Sequence, residues 1–312
     1  MTNVVVAGTT PTSLHFLRQS LGQPTVEVVG LVTDDPDEVA YAFVHDSAVT
    51  RFRGTATRVA DALVLAGRHG RGGLRHDHIP LYASLDEALG NDRHVDCVVV
   101  AEGWPDLGAA LDTPVVRLDV DVPDPLADVV ARVGEALAAL APVTHLFVTA
   151  VGGANPGQTE RDLLWARRGN RAGLSSRPGG GVASLECQVV GDAAERVVVS
   201  SVFAVFGEPI TEEAVRRRLR SAGRNSLADS VRQEEGPVGT FDVLGSSASV
   251  LDLGSLQVTS DAVSLALFTD PLAARTRLAL AQVSGSARPA EWRAGTVLWE
   301  NRDPSASATT MA

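Results

Sequence analysis

Short apolar runs alternate with helix-forming segments over the first 120 residues, and this alternation limits the fold more than any other feature. Residues 3–7 read Asn-Val-Val-Val-Ala and close on Gly8. Residues 26–32 read Val-Glu-Val-Val-Gly-Leu-Val, residues 95–101 read Val-Asp-Cys-Val-Val-Val-Ala, and residues 115–118 are a fourth such run. Runs apolar on both alternating sides suit strands buried on both faces, which is the requirement of a parallel sheet covered by helices. Between the first two runs, Leu14, Leu17 and Leu21 share one side of a helix, and short helices are expected over 37–45 and 85–89. The segments 54–65 and 79–82 read as strands on either side of a Gly/Arg/His-rich loop over 67–78. The expectation is an α/β, doubly wound, Rossmann-type parallel sheet.

The pattern changes near Asp119-Val-Asp-Val-Pro-Asp-Pro125. An amphipathic helix follows over 126–140, with a proline at its start. Longer strands are expected over 143–151, 196–206, 246–251 and 262–268, with a helix over 211–222 between the second and third. Thr211 caps that helix, and Glu212 and Glu213 sit in its first turn, where the helix dipole favours them. A last helix covers 271–283. Strands in runs with few helices between them predict an α+β domain with a mixed or antiparallel sheet. The expected division is 1–120, 121–283, and a C-terminal extension over 284–312 whose end, from Pro304, is expected to be disordered.

Composition removes several classes of function. The formal net charge is −11, against nucleic-acid binding, which needs a basic face. All 27 basic residues are arginine. Without lysine there is no Schiff base and no phosphate-loop lysine. The abundance of Ala, Val and Arg follows a high-GC coding bias. The chain enters its first strand directly, with no basic and apolar leader, and no run has the length of a membrane span. Two cysteines without a spacing pattern fit reduced thiols, and a cytoplasmic protein is expected.

Several landmarks occur in an order that resembles one family. The run His45-Asp-Ser-Ala-Val-Thr-Arg-Phe-Arg-Gly54 after the second strand resembles a "YDS..GRF.G" segment. Val95-Asp-Cys-Val-Val-Val-Ala-Glu-Gly103 resembles a "VDIVVESTG" strand, and 143–151 resembles a "VRGMMTTVH" strand. Arg161-Asp-Leu-Leu-Trp-Ala-Arg-Arg168 resembles an arginine-rich "KDLRRARAA" loop. Gly180-Gly-Val-Ala-Ser-Leu-Glu186 resembles "TGAAKAV" at a helix start, which puts Cys187 on a helix. Pro209-Ile-Thr-Glu-Glu-Ala-Val215 resembles a "VTVEEV" helix. Together these resemble glyceraldehyde-3-phosphate dehydrogenase from residue 3 to about residue 283.

That resemblance implies a two-domain fold and a tetramer-type assembly, and it also shows what is missing. The family's nucleophilic cysteine falls at Pro125, its general-base histidine at Gly152, and its nicotinamide-holding asparagine near Pro271. Thiohemiacetal chemistry needs a thiolate beside a base, so the family's reaction is not expected. The cofactor loop reads Gly8-Thr-Thr-Pro-Thr-Ser13 and keeps only the first glycine of the G-x-G-x-x-G fingerprint. Thr10 places a branched side chain where pyrophosphate would approach the backbone, and Pro11 removes one N–H. Gly8, Thr9 and Thr10 still offer a phosphate a helix start with hydroxyls; equally, the loop is a capped turn that binds nothing. Thr33 falls at or beside the place of the ribose carboxylate, and Asp34 or Asp35 next to it offers an acceptor for a ribose 2′-hydroxyl; equally, the run Asp34-Asp-Pro-Asp37 caps the next helix. NAD or NADP binding is therefore expected to be weak or absent.

The remaining candidates are few. Glu102 ends a strand and is the acid–base group nearest the expected cleft. Asn155 is the hydrogen-bonding side chain left beside Gly152, where two glycines open space. Arg167 and Arg171, in a loop with Arg161, Arg168 and Arg177, offer an anion clamp or an oligomer interface. His76 and His78 are expected as solvated loop residues without a third metal ligand, and no metal site is expected. Cys97 is expected as a buried, inert thiol. The run 197–206 is apolar on both sides, which predicts a homodimer or homotetramer.

Three readings follow. The first is a repurposed homologue, without dehydrogenase activity, that binds or converts another small molecule between its domains in specialised (natural-product) biosynthesis. The second is an NAD(P)-dependent oxidoreductase with an altered cofactor loop. The third is a structural pseudoenzyme that partners an active homologue.

Overall fold

A computed structural model describes residues 1–285 apart from 22, 46–51, 53, 69–73, 105–110, 120, 123, 153–181, 183–184 and 191–196. It is a mixed α/β structure built on two sheets, one of seven strands and one of six.

The first sheet contains β1 (Thr2–Ala7), β2 (Val26–Val32), β3 (Gly54–Val59), β4 (Ala62–Arg68), β5 (Leu74–Tyr82), β6 (Cys97–Val100) and β7 (Val115–Arg117). Their order is β3-β4-β5-β2-β1-β6-β7. The run from β5 to β7 is parallel, and β3 and β4 join it as antiparallel neighbours. Helices cover both faces, as the apolar runs require. Val4 and Val6 point to one face, under α1 (Pro11–Ser20) and α2 (Pro36–His45), with Phe16, Leu17 and Phe43 fully buried there. Val5 and Ala7 point to the other, with Leu85 and Ala88 of α3 (Leu85–Leu89).

The second sheet contains β8 (Val143–Val151), β9 (Leu185–Val190), β10 (Val198–Phe206), β11 (Val231–Glu234), β12 (Ser249–Val258) and β13 (Ala262–Thr269), in the order β11-β12-β13-β10-β8-β9. It is mixed: β11 with β12 and β8 with β9 are parallel, and the rest antiparallel. The helices α4 (Pro125–Ala138) and α5 (Glu212–Gly223) cover one face, where Val133, Leu137, Val215 and Leu219 meet Leu146, Val202, Leu251 and Leu265. Thr211 caps α5 by accepting from the Ala214 N–H, as expected. A one-turn helix, α6 (Thr240–Val243), packs Val243 against Val197 and Val250 near one end of the other face. Elsewhere on that face Phe147, Phe203 and Val151 remain 38%, 40% and 47% exposed.

The last helix, α7 (Pro271–Val283), returns the chain to the first core, where Leu278, Ala279 and Val283 pack with Leu14 and Leu17 of α1. Among the described residues no helix is long and apolar enough to cross a membrane.

Four local expectations are corrected. The segment 54–65 is not one strand; it turns at Ala60, whose φ is 50°, and pairs with itself as β3 and β4. Most of the expected loop over 67–78 is strand, so His76 and His78 lie on β5, opposite Ala66 and Val64. Cys187 lies on β9, opposite Val148, rather than on a helix. The strand expected over 246–251 starts at Ser249 and runs to Val258, past an irregularity at Asp252, whose carboxylate accepts from the Gly254 and Ser255 N–H groups. In each case strand pairing set the outcome, with a strand close in the chain for β3, β4, β5 and β12 and with the more distant β8 for β9. The tail from Pro304 lies outside the described residues.

Candidate functional site

The central strand β1 has β2 on one side and β6 on the other, so the chain crosses over in opposite directions from it. In open parallel sheets the crevice at the carboxyl ends of such strands is where ligands bind. Gly8 and Glu102 lie at the ends of β1 and β6.

Gly8 has φ 95°, a conformation that favours glycine. A Cβ there would meet the Ala101 Cβ at 2.8 Å and the Trp104 ring at 3.0 Å. The first glycine of the loop is thus held by protein packing, with the indole laid against it. The Ser13 hydroxyl donates to the Gly8 carbonyl at 2.8 Å and fixes the turn. Thr10 is the N-cap of α1 and Pro11 its first residue. The Thr10 hydroxyl accepts from the Ser13 N–H at 3.4 Å and donates to Glu102 Oε2 at 2.8 Å. That bond joins the segment after β1 directly to the segment after β6.

Arg275, in the second turn of α7, approaches the same point. Its Nη1 lies 3.9 Å from Glu102 Oε1, with the two side chains 19% and 30% exposed. Its Nε is buried without a hydrogen-bond partner. Two residues on, Arg277 has two hydrogen-bond partners. Its Nη2 bonds Asp128 of α4 at 3.3 Å and its Nε donates to the Ser247 carbonyl at 3.2 Å. Burial holds the Arg277 pKa below its usual value, and Asp128 opposes that shift. This pair ties α7 to the second sheet's helical layer.

The sequence candidates divide accordingly. Gly8, Thr10 and Glu102 come together. Thr9 is half-buried in the same loop. Asp34 is exposed just beyond the end of β2, whereas Asp35 caps the next helix by accepting from the Asp37 and Glu38 N–H groups. Pro125 is the first residue of α4, and Gly152 is buried just after β8 with φ 98°. Asn155, Arg167 and Arg171 lie outside the described residues. Cys97 is buried, and burial pushes its thiol up to about 12.

Trp104, Ser13 and Arg275 were missed by sequence reasoning. A signal for Arg275 existed: Arg275-Thr-Arg277 interrupts a helix that is otherwise almost wholly apolar. Among the described residues no group of three or more His, Cys, Asp and Glu is placed to hold a metal ion. Cavities of about 500 Å³ beside Arg220, Arg224 and Arg232 and of about 650 Å³ beside Arg58, Tyr82 and Arg93 lie apart from Gly8, Glu102 and Arg275. Compared with models of known families and with curated proteins, the chain matches none.

Proposed function

We propose that the chain is a divergent, glyceraldehyde-3-phosphate dehydrogenase-like protein, with a Rossmann-type first domain, that has lost the family's reaction. It binds or converts a different small molecule between its two sheets, in specialised biosynthesis. The observation that carries this reading is the 2.8 Å bond from Thr10 to Glu102 across the ends of β1 and β6. A dinucleotide pyrophosphate there would meet a carboxylate and a branched side chain instead of open glycine backbone. Pro125 at the start of α4 and Gly152 after β8 support the loss of thiol and base. In this reading Glu102 is the acid–base group of the cleft.

Isothermal calorimetry with NAD and NADP tests the reading. The expected result is binding no tighter than about 1 mM, on the order of −4 kcal/mol. Micromolar binding would overturn it in favour of an oxidoreductase with an altered loop.

Self-association belongs to the same proposal. The face bearing Phe147, Phe203 and Val151 supports it, since His145, Phe147 and Phe203 form a row of rings with centroids 5.9 and 6.3 Å apart. An apolar sheet face of this kind is commonly closed by a symmetric partner. Sedimentation equilibrium is expected to give a dimer or tetramer, and Phe203→Asp to shift it toward monomer. A 32.6 kDa species at micromolar concentration of the unmutated chain would remove this part of the proposal.

A further inference from the structure

We infer that Arg275 is an anion anchor, which takes the carboxylate or phosphate group of a small molecule entering beside Glu102. The inference rests on the reading above that this crevice serves a ligand other than a dinucleotide.

A guanidinium carries five N–H donors and stays charged. Arg275 is four-fifths buried, yet its nearest carboxylate oxygen is 3.9 Å away, beyond hydrogen-bond distance. Its Nε is fully buried and bonded to nothing. Burying such a group without hydrogen bonds is unfavourable, and native structures rarely leave it so without a role. Three other arginines show the engagement that Arg275 lacks. Arg277 on the same helix has both a carboxylate and a carbonyl, and Arg216 and Arg220 on α5 share Glu235.

The neighbours of Arg275 suit a small anion. Glu102 turns Oε2 to Thr10 and leaves Oε1 toward Arg275, close enough to balance its charge and too far to bond it. An incoming carboxylate or phosphate with two oxygens in the guanidinium plane would supply the missing bonds. Ala101 and Trp104 occupy the space beside the Gly8 α-carbon, where a Cβ would meet them at 2.8 and 3.0 Å. That favours a single carboxylate or phosphate monoester over a pyrophosphate. Glu102 then acts as the competing charge, which an anion must displace.

The test is NMR of the full chain with ¹⁵N-labelled arginine, with the Arg275 Nε–H assigned by its loss in Arg275→Lys. Succinate and glycerol phosphate are titrated separately, against chloride at equal ionic strength. A saturable shift of that signal is expected with one of them, and which one separates a carboxylate ligand from a phosphate ligand. Glu102→Gln, which removes the competing charge, is expected to tighten binding roughly tenfold. No shift beyond the chloride control with either probe, in both the unmutated chain and Glu102→Gln, would overturn the anchor and leave the wider reading of the cleft standing. Micromolar NAD binding that also moves the Arg275 signal would do the reverse: the anchor would hold and the non-dinucleotide reading would fall.

Discussion

The two helices that pack side by side against the first sheet begin alike and are used differently. Each has a polar cap followed at once by proline: Thr10-Pro11 for α1 and Asp270-Pro271 for α7. Asp270 is fully buried, and its oxygens accept from the Leu272, Ala273 and Gly245 N–H groups. It is an interior cap whose hydrogen bonds all lie within the protein. Thr10 caps α1 by one long bond and turns its proton outward to Glu102, in a crevice that also holds an unsatisfied arginine. One helix start closes the structure; the other leaves polar capacity open at the ends of the parallel strands. The same contrast recurs within α7, between Arg277, which is engaged, and Arg275, which is not.

The arginine pair gives the larger expected effect. Arg277→Ala removes the link from α7 to Asp128 and the Ser247 carbonyl, both in partly buried surroundings. Breaking a buried pair by deleting one partner is worth about 3 kcal/mol at the low end of the usual range. The low end applies because Asp128 keeps Arg132 at 3.0 Å. Arg275→Ala deletes a guanidinium with no hydrogen bond, so its expected cost is under about 0.5 kcal/mol, and a small gain fits the same argument. Urea unfolding of both variants checks the contrast. Equal losses would mean that Arg275 is structural, and the comparison would fail.

Much of the fold was legible in the sequence because it rests on local pattern. The bounds of β2, β8 and α7, and the cap at Thr211, follow from apolar periodicity and cap chemistry, which a single segment carries within itself. What was not legible depends on turn geometry and on which strands pair. The hairpin of β3 and β4 looked like one strand because its turn at Ala60 uses neither glycine nor proline. β9 looked like a helix start because residues 180–186 resemble "TGAAKAV", whereas the segment pairs in parallel with β8. The site divides in the same way. Gly8, Thr10 and Glu102 were identifiable because each ends or begins an element of the first sheet. Arg275 enters the crevice from a helix that comes some 170 residues after Glu102, and no local rule connects the two.

The smaller test concerns the two caps themselves. Asp270→Ala removes an acceptor from three backbone N–H groups in the interior and leaves them unsatisfied. The expected loss is about 2 kcal/mol, the upper end for a helix cap. Thr10→Val keeps the shape of the side chain and removes a single hydroxyl, so the expected loss is about 1 kcal/mol. The two losses differ in kind as well as size. Asp270→Ala should lower stability and leave anion binding at Arg275 unchanged in the folded protein, because the bonds from the Gly245, Leu272 and Ala273 N–H groups to Asp270 involve neither Glu102 nor Arg275. Thr10→Val should also free Glu102 Oε2, letting the carboxylate turn toward Arg275 and compete harder with an added anion. Succinate or glycerol phosphate should therefore bind Thr10→Val more weakly than the unmutated chain, opposite in sign to Glu102→Gln. Chemical denaturation paired with the arginine Nε–H titration reads both quantities on the same samples. If Thr10→Val lost stability without any change in anion affinity, the threonine would be a cap like Asp270, and the distinction between the two helix starts would reduce to one of burial.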